Sequence, residues 1–250
     1  MIASKILASG KFYPQDIRVS MHKSNRAIDP TTESQIETVW QAMLAQAKEA
    51  GKVCYNGTSY RLNTLAVDAG KLVIELSTFE YKVRDGLLKI PGYFDLTEKY
   101  YRKGCFTTGT IRTSDNQYVL VKLSGRSMNE NSTEMVGGIM ETDVTMCSGE
   151  DIFTSFFNEL EEEIGVVKDD VADIYLQTIY LDSKTNIGFY FDVTLTISAN
   201  ELLWRFKYNQ DIDIESILTY SKDAYIQTLR DHPSRDKHFL ATQLESTAAS

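Results

Sequence analysis

The sequence holds only three cysteines, Cys54, Cys105 and Cys147, and no two of them form a CxxC pair. An odd count without metal-finger spacing argues against a disulfide framework or a zinc site, so reduced, partly buried thiols are expected. No run approaches the roughly 18 consecutive apolar residues that a membrane helix needs. The opening stretch, MIASKILASGKFYP, has no long apolar core and no cleavage-type ending, so no secretory signal is expected. His22, His232 and His238 form no HExxH, and there is no GxSxG nucleophile elbow. Basic residues are the minority, 26 Lys and Arg against 35 Asp and Glu, for a formal net charge of −9. Non-specific nucleic-acid binding depends on many cationic contacts to phosphate, and binding to an anionic membrane on a polybasic cluster. Neither is present. A soluble cytoplasmic protein with no nucleic-acid or membrane partner is the expectation.

The hydrophobic pattern gives interleaved strands and helices. Residues 11 to 22 read as an extended opening strand interrupted near Pro14. Asp29-Pro30-Thr31-Thr32-Glu33 supplies a helix start, and the stripe Ile36, Val39, Trp40, Met43, Leu44, Ala47 carries that helix to Gly51. Asp68-Ala69-Gly70 marks a hairpin turn between strands Tyr60 to Val67 and Lys71 to Thr78. Residues 79 to 104 are aromatic-rich and poorly periodic, which predicts loop and short helix. A second hairpin is expected from Cys105 to Thr113 and Tyr118 to Leu123 around the turn SDNQ. Two further strands flank Ser183–Asn186, a helix or loop follows at NELLWRF, and a short strand at Asp213 to Leu218 precedes two closing helices. Regular βαβ alternation is missing, so a mixed sheet between helices is the better reading. The hairpin at Cys105 begins a segment that could stand alone, giving an N-terminal α+β extension over 1–104 and a main domain over 105–250.

One stretch carries unusual charge. Gly149 to Val166, GEDIFTSFFNELEEEIGV, places Ile152, Phe153, Phe156, Phe157, Leu160 and Ile164 at helical spacings on one face. Glu159, Glu162 and Glu163 are related as i, i+3 and i+4, so three carboxylates share another face, at roughly a few tenths of a kcal/mol of repulsion per pair. A solvated acidic face is the plain explanation. A divalent cation with oxygen ligands is the functional one. Elsewhere, Gly104 to Thr110 has phosphate-loop glycines but no lysine, and Asp182 to Gly188 lacks the ligand spacing and terminal glutamate of a calcium loop.

Gly138, Glu150, the seven-residue spacer, Glu159-Leu160, Glu162-Glu163 and Gly165-Val166 resemble the Nudix hydrolase signature, GX5EX7REUXEEXGU, with U a bulky aliphatic residue. The run Glu134-Met-Val-Gly-Gly138 stands where that family shows a Glu-x-Pro-Gly-Gly-like approach. There are two departures. Asn158 replaces the arginine that orients the carboxylates through ion pairs in the family. The spacer from Gly138 to Glu150 is eleven residues, Ile139 to Gly149, instead of five. The layout is most similar to the subgroup that hydrolyses UDP-glucose and UDP-galactose.

The resemblance implies an α/β/α sandwich with a mixed sheet, and Mg²⁺-dependent (or Mn²⁺-dependent) hydrolysis of a nucleoside diphosphate linked to another moiety. A UDP-sugar giving UMP and sugar 1-phosphate is the specific expectation. It also implies catalytic and metal-binding roles for Glu159, Glu162 and Glu163, with the Gly138 carbonyl as a further ligand. Glu150 is expected to hold the helix start or a loop rather than the metal, since an acidic group suits the first turn. Arg126 could meet a phosphate, and Phe79 and Tyr81 lie where the subgroup has an aromatic that could stack on uracil. The competing reading is a non-catalytic nucleotide-binding module on the same fold. The oligomeric state is left open.

Overall fold

The computed structural model describes residues 2–22, 28–51, 54–95, 101–124, 132–207 and 213–247. The strand interrupted near Pro14 is two strands, β1 (Lys5–Phe12) and β2 (Ile17–Met21), separated by a 3-10 turn at Pro14–Asp16. They part company: β1 joins one sheet and β2 another. Helix α1 (Pro30–Glu49) starts where expected, with the Asp29 carboxylate accepting the Thr32 N–H at 3.0 Å. The hairpin follows as β3 (Thr58–Asp68) and β4 (Lys71–Glu80), turning through Ala69 at φ 48° and Gly70 at φ 79°. Two consecutive positive φ angles match the twist of the flanking strands, as a two-residue hairpin turn requires. With β2 these make a three-stranded sheet, β2-β4-β3, in which β2 and β4 are parallel. Helix α2 (Tyr81–Lys89) then packs on α1 around Ile36, Leu87, Ile90 and Tyr93.

The larger sheet is built from β5 (Cys105–Arg112), β6 (Tyr118–Leu123), β7 (Thr133–Glu134), β8 (Val171–Leu181), β9 (Ile187–Leu195) and β10 (Ile214–Tyr220), together with β1. Its order is β1-β8-β9-β5-β6-β10, with β7 on β6. The expected second hairpin is only half right. After the turn, β5 and β6 pair at Arg112↔Tyr118 alone. From there β5 runs parallel to β9 along its whole length, and β6 pairs with β10. The two strands diverge, and the segment 136–140 occupies the opening: Thr107 N–H donates to Gly138 O at 2.9 Å and Met140 N–H to Cys105 O at 3.1 Å.

Alternation along the strands produces two apolar layers. Val119 and Val121 of β6 and Phe189, Phe191 and Val193 of β9 face helix α3 (Gly149–Ile164) and helix α4 (Ala199–Phe206) in the main core. Leu120 and Tyr190, one residue out of phase, face helix α5 (Lys222–Asp231) and helix α6 (Arg235–Thr247). The architecture is therefore α/β/α with a mixed sheet, plus the smaller α+β unit. Residues 2–104 are not confined to that unit, since β1 is an edge of the large sheet and Ile74, Leu76 and Tyr60 share the main core with α3. Among the described residues, no helix is long and apolar enough to cross a membrane.

All three cysteines are free thiols. Cys105 is buried in the core, and burial pushes its pKa far up, whereas Cys147 is exposed. Only a thiolate reacts readily. Alkylation of the native protein at mildly alkaline pH is thus expected to mark Cys147 and spare Cys105, followed by peptide mapping. Equal labelling of the two before unfolding would contradict this packing.

Candidate active site

The acidic helix is held at both ends. At its start, the Asp151 carboxylate accepts the N–H groups of Cys147 at 2.9 Å and Ser148 at 2.8 Å. The capping carboxylate is Asp151, and Glu150 stands exposed beside it in the first turn, at the helix start where it is expected. Gly149 lies against Pro14, so close that a Cβ would stand 2.2 Å from its carbonyl oxygen. The 3-10 turn between β1 and β2 is thereby the seat of the helix. At its end, Gly165 takes φ 69°, and its N–H reaches Glu161 O at 3.0 Å while Val166 N–H reaches Leu160 O at 3.1 Å. This left-handed cap stops the helix at Ile164 and explains the glycine that follows. In between, Phe156 stacks on Phe191 with centroids 4.5 Å apart and planes 8° from parallel. Phe156 meets the strand at Gly109, where any side chain would collide with it. The apolar face is locked to the sheet, so the rotation of the glutamate face is fixed.

The structure brings the double glycine to that face. Gly137 donates its N–H to Glu163 Oε2 at 3.0 Å. Gly138 has the Glu159 carboxylate directly over its Cα, where a Cβ would fall 2.3 Å from Glu159 Oε1. Glu159 and Glu163, one helical turn apart, are both half-buried, whereas Glu161 and Glu162 are exposed. The three expected ligands therefore divide: Glu159 and Glu163 meet the glycine segment, and Glu162 faces solvent. Asn158 is half-buried on the same helix. A backbone N–H, that of Gly137, holds the Glu163 carboxylate.

Gly137, Gly138 and Glu163 form part of the lining of a cleft of about 540 Å³. Its apolar lining includes Phe106 and Tyr180, whose rings meet edge to face with centroids 5.9 Å apart. Its polar lining includes Glu134, Asp213 and Lys237. Phe79 and Tyr81 do not line it. Phe79 is 8% exposed beside Gly104, and Tyr81 is 7% exposed, its ring covered by Arg84 at 4.1 Å and flanked by Tyr55. Their faces are occupied by packing, so neither presents a platform for a base in this structure. Arg126 lies outside the described residues. The sequence reading missed Phe106, Tyr180 and Lys237; each looks like an ordinary strand or helix position until the chain is folded.

A hard divalent cation suits what is present. Among the described residues no three Asp, Glu, His or Cys side chains converge into a ready cage. Mg²⁺ does not need one, because it keeps several waters and is commonly held by one or two carboxylates plus substrate phosphate. Glu159 and Glu163 are the carboxylates that would supply those oxygens. The Gly138 carbonyl is engaged by Thr107 N–H and has one lone pair left. Thr107 itself lines the cleft, and its hydroxyl oxygen is buried without a hydrogen-bond partner among the described residues. Such an orphan is rare in native structures and is a natural place for a bound water or ligand oxygen.

No protein-family model matches the chain, and no curated protein does. Solved structures do resemble it. The NUDIX domain of Shewanella oneidensis NrtR complexed with ADP ribose is 11% identical, over 63% of this chain and 96% of that one, with a TM-score of 0.43. A NUDIX hydrolase from Nitrosomonas europaea is 17% identical over 58% and 88% of the two chains, with a TM-score of 0.36. The bifunctional NMN adenylyltransferase/ADP ribose pyrophosphatase from Francisella tularensis, complexed with AMP and a Mn ion, is 15% identical over 66% and 45%, with a TM-score of 0.41. At this level of similarity, the chemistry has to come from the chain's own residues.

Proposed function

We propose that this chain is a Nudix-type hydrolase that, with Mg²⁺ or with Mn²⁺ in its place, cleaves the diphosphate of a nucleoside diphosphate linked to another moiety. The observation that carries this is the seating of Gly137 and Gly138 against Glu163 and Glu159 at the wall of the cleft. When bound there, the cation neutralises phosphate oxygens and lowers the pKa of a water. The chain's own part is to hold and orient. Glu159 and Glu163 hold the ion. The Gly137 N–H fixes the Glu163 carboxylate, so the ligand is in place before substrate arrives. Phe106 and Tyr180 give the substrate an apolar wall, and Glu162, exposed beside the pair, is the carboxylate free to accept a proton from solvent water. A UDP-sugar, giving UMP and sugar 1-phosphate, is the specific substrate, supported by the sequence layout alone.

The test is a panel of nucleoside diphosphate sugars, dinucleotides and nucleoside triphosphates incubated with the purified protein and Mg²⁺, with products resolved by chromatography. The expected result is metal-dependent release of a nucleoside monophosphate, fastest from a UDP-sugar. The replacement of the family arginine by Asn158 favours a second reading, a binding module without turnover. That reading predicts ligand-induced melting shifts from the same panel and no product with either metal.

A further inference from the structure

The cleft contains a cation that the proposed reaction does not yet use. Its described lining carries five carboxylates, Glu134, Glu163, Asp182, Asp213 and Asp236, and a single cationic side chain, Lys237. Two of the acids serve the fold. Asp182 accepts the N–H groups of Lys184 at 2.8 Å and Asn186 at 2.7 Å, and the Asn186 amide at 2.8 Å. Asp236 accepts the N–H and hydroxyl of Ser183, each at 2.8 Å, and the Ser4 hydroxyl at 2.5 Å. These bonds stitch the β8–β9 turn and the start of the chain to α6.

Lys237 is placed differently. It stands in the first turn of α6, 6% exposed, and its ammonium donates to Thr133 O at 2.7 Å and to the Glu134 carboxylate. An ammonium has three N–H donors, so one remains. The nearest further group is His232 Nε2, 3.2 Å away. His232 Nδ1 already accepts the Ser234 N–H at 3.0 Å, which puts the proton of the neutral ring on Nε2. Burial and the neighbouring Lys237 charge both lower the pKa of His232, which favours that neutral ring. Two donors therefore face each other, and the third lysine N–H lacks an acceptor among the described residues. A nearly buried ammonium with an unanswered donor, in the wall of a cleft and at the positive end of a helix, is poised for an anionic oxygen.

We propose that Lys237 is the anion-binding residue of the cleft, taking a phosphate oxygen of the ligand while Glu159 and Glu163 serve its cation-bound part. The assignment rests on the diphosphate reading for the identity of the ligand, and on the Lys237 geometry for the residue. Glu134 and Thr133 hold the ammonium in position, and His232, unable to accept from it, leaves its third donor to the ligand.

The test uses the full chain with inorganic pyrophosphate as probe, by titration calorimetry with and without Mg²⁺. Lys237→Met alone would leave Glu134 without its partner, so the decisive variant is Lys237→Met/Glu134→Gln, which removes the pair together. Its affinity is expected to fall about tenfold to a hundredfold, as for loss of a charge-assisted hydrogen bond. Glu134→Gln alone keeps the ammonium and is expected to bind pyrophosphate more tightly. It decides the matter if the double variant does not fold, because weaker binding there overturns the proposal. So does wild-type affinity in the double variant, or a wild-type protein that does not bind pyrophosphate. In turnover, the double variant should raise KM more than it lowers kcat. Lys237-dependent binding of pyrophosphate with no turnover of any nucleotide in the panel would end the hydrolase reading and leave the anion site standing.

Discussion

Glu163→Gln is expected to lose Mg²⁺-dependent turnover by about a hundredfold or more while its melting temperature stays where it was. Charge stabilisation by a bound cation is worth several kcal/mol, and each ~1.36 kcal/mol is a factor of ten in rate. The stability side follows from geometry. Gly137 donates to Glu163 Oε2, and a glutamine can offer its amide oxygen to the same N–H. The change also removes a like charge at i+4 from Glu159, relieving roughly a few tenths of a kcal/mol. Glu163→Ala makes the contrast. It deprives the Gly137 N–H of this acceptor, at a cost of about 1 kcal/mol, the low end for such losses because Gly137 is half-buried and water can substitute. Glu159→Gln should resemble Glu163→Gln. Turnover and thermal melts with and without Mg²⁺ check all three. The Mg²⁺-induced rise in melting temperature should vanish along with activity, since a ligand stabilises only the state that binds it. Undiminished turnover in both glutamine variants would sink the site.

Much of this fold is legible where the information is local. The period of α3, the Asp29 cap of α1 and the Asp68-Ala69-Gly70 turn each follow from neighbouring residues, and each element lies within a few residues of its expected place. Pairing between distant segments is different. Nothing near Lys5 says that β1 will lie against β8, with Lys5 opposite Leu181. Nothing in SDNQ says that the strands it joins pair only at Arg112 and Tyr118 before opening. That opening creates the site, because the glycine segment fills it and meets α3 there. The glutamates were legible as a group from their spacing. Their division was not: whether a side chain on an acidic face points at a glycine, as Glu159 does, or at water, as Glu162 does, depends on where the apolar face locks. Lys237 was illegible for the same reason, since its partners, Glu134 and Thr133, lie a hundred or so positions away.

The two glycines should fail in different ways when each is changed to alanine, and this is the sharper test of how the site is built. At Gly137, φ is 145°, and a Cβ would lie 2.1 Å from Thr107 O and 2.7 Å from Thr108 Cα. Both obstacles are backbone atoms of a strand buried on both faces, so neither can yield cheaply. Strain from the unusual dihedral adds about 1–3 kcal/mol, and overpacking adds about 1–3 kcal/mol more. Against a total stability of roughly 5–15 kcal/mol, Gly137→Ala should lower the melting temperature by on the order of 10 °C or prevent folding. Gly70→Ala is the control for the dihedral alone, since φ is 79° there and nothing lies within 4 Å of the new methyl. It should cost only the strain. Gly138 has no positive φ, and its Cβ would strike the Glu159 carboxylate, the far end of a flexible side chain. Glu159 can swing aside, so Gly138→Ala should melt within a few degrees of the wild type. The swing takes the carboxylate away from the ion, however, and metal-dependent turnover should fall as it does in Glu159→Gln. If Gly138→Ala instead unfolds the protein and spares the activity of what remains, the close approach of Gly138 to Glu159 is packing, and the glycine has no part in the chemistry.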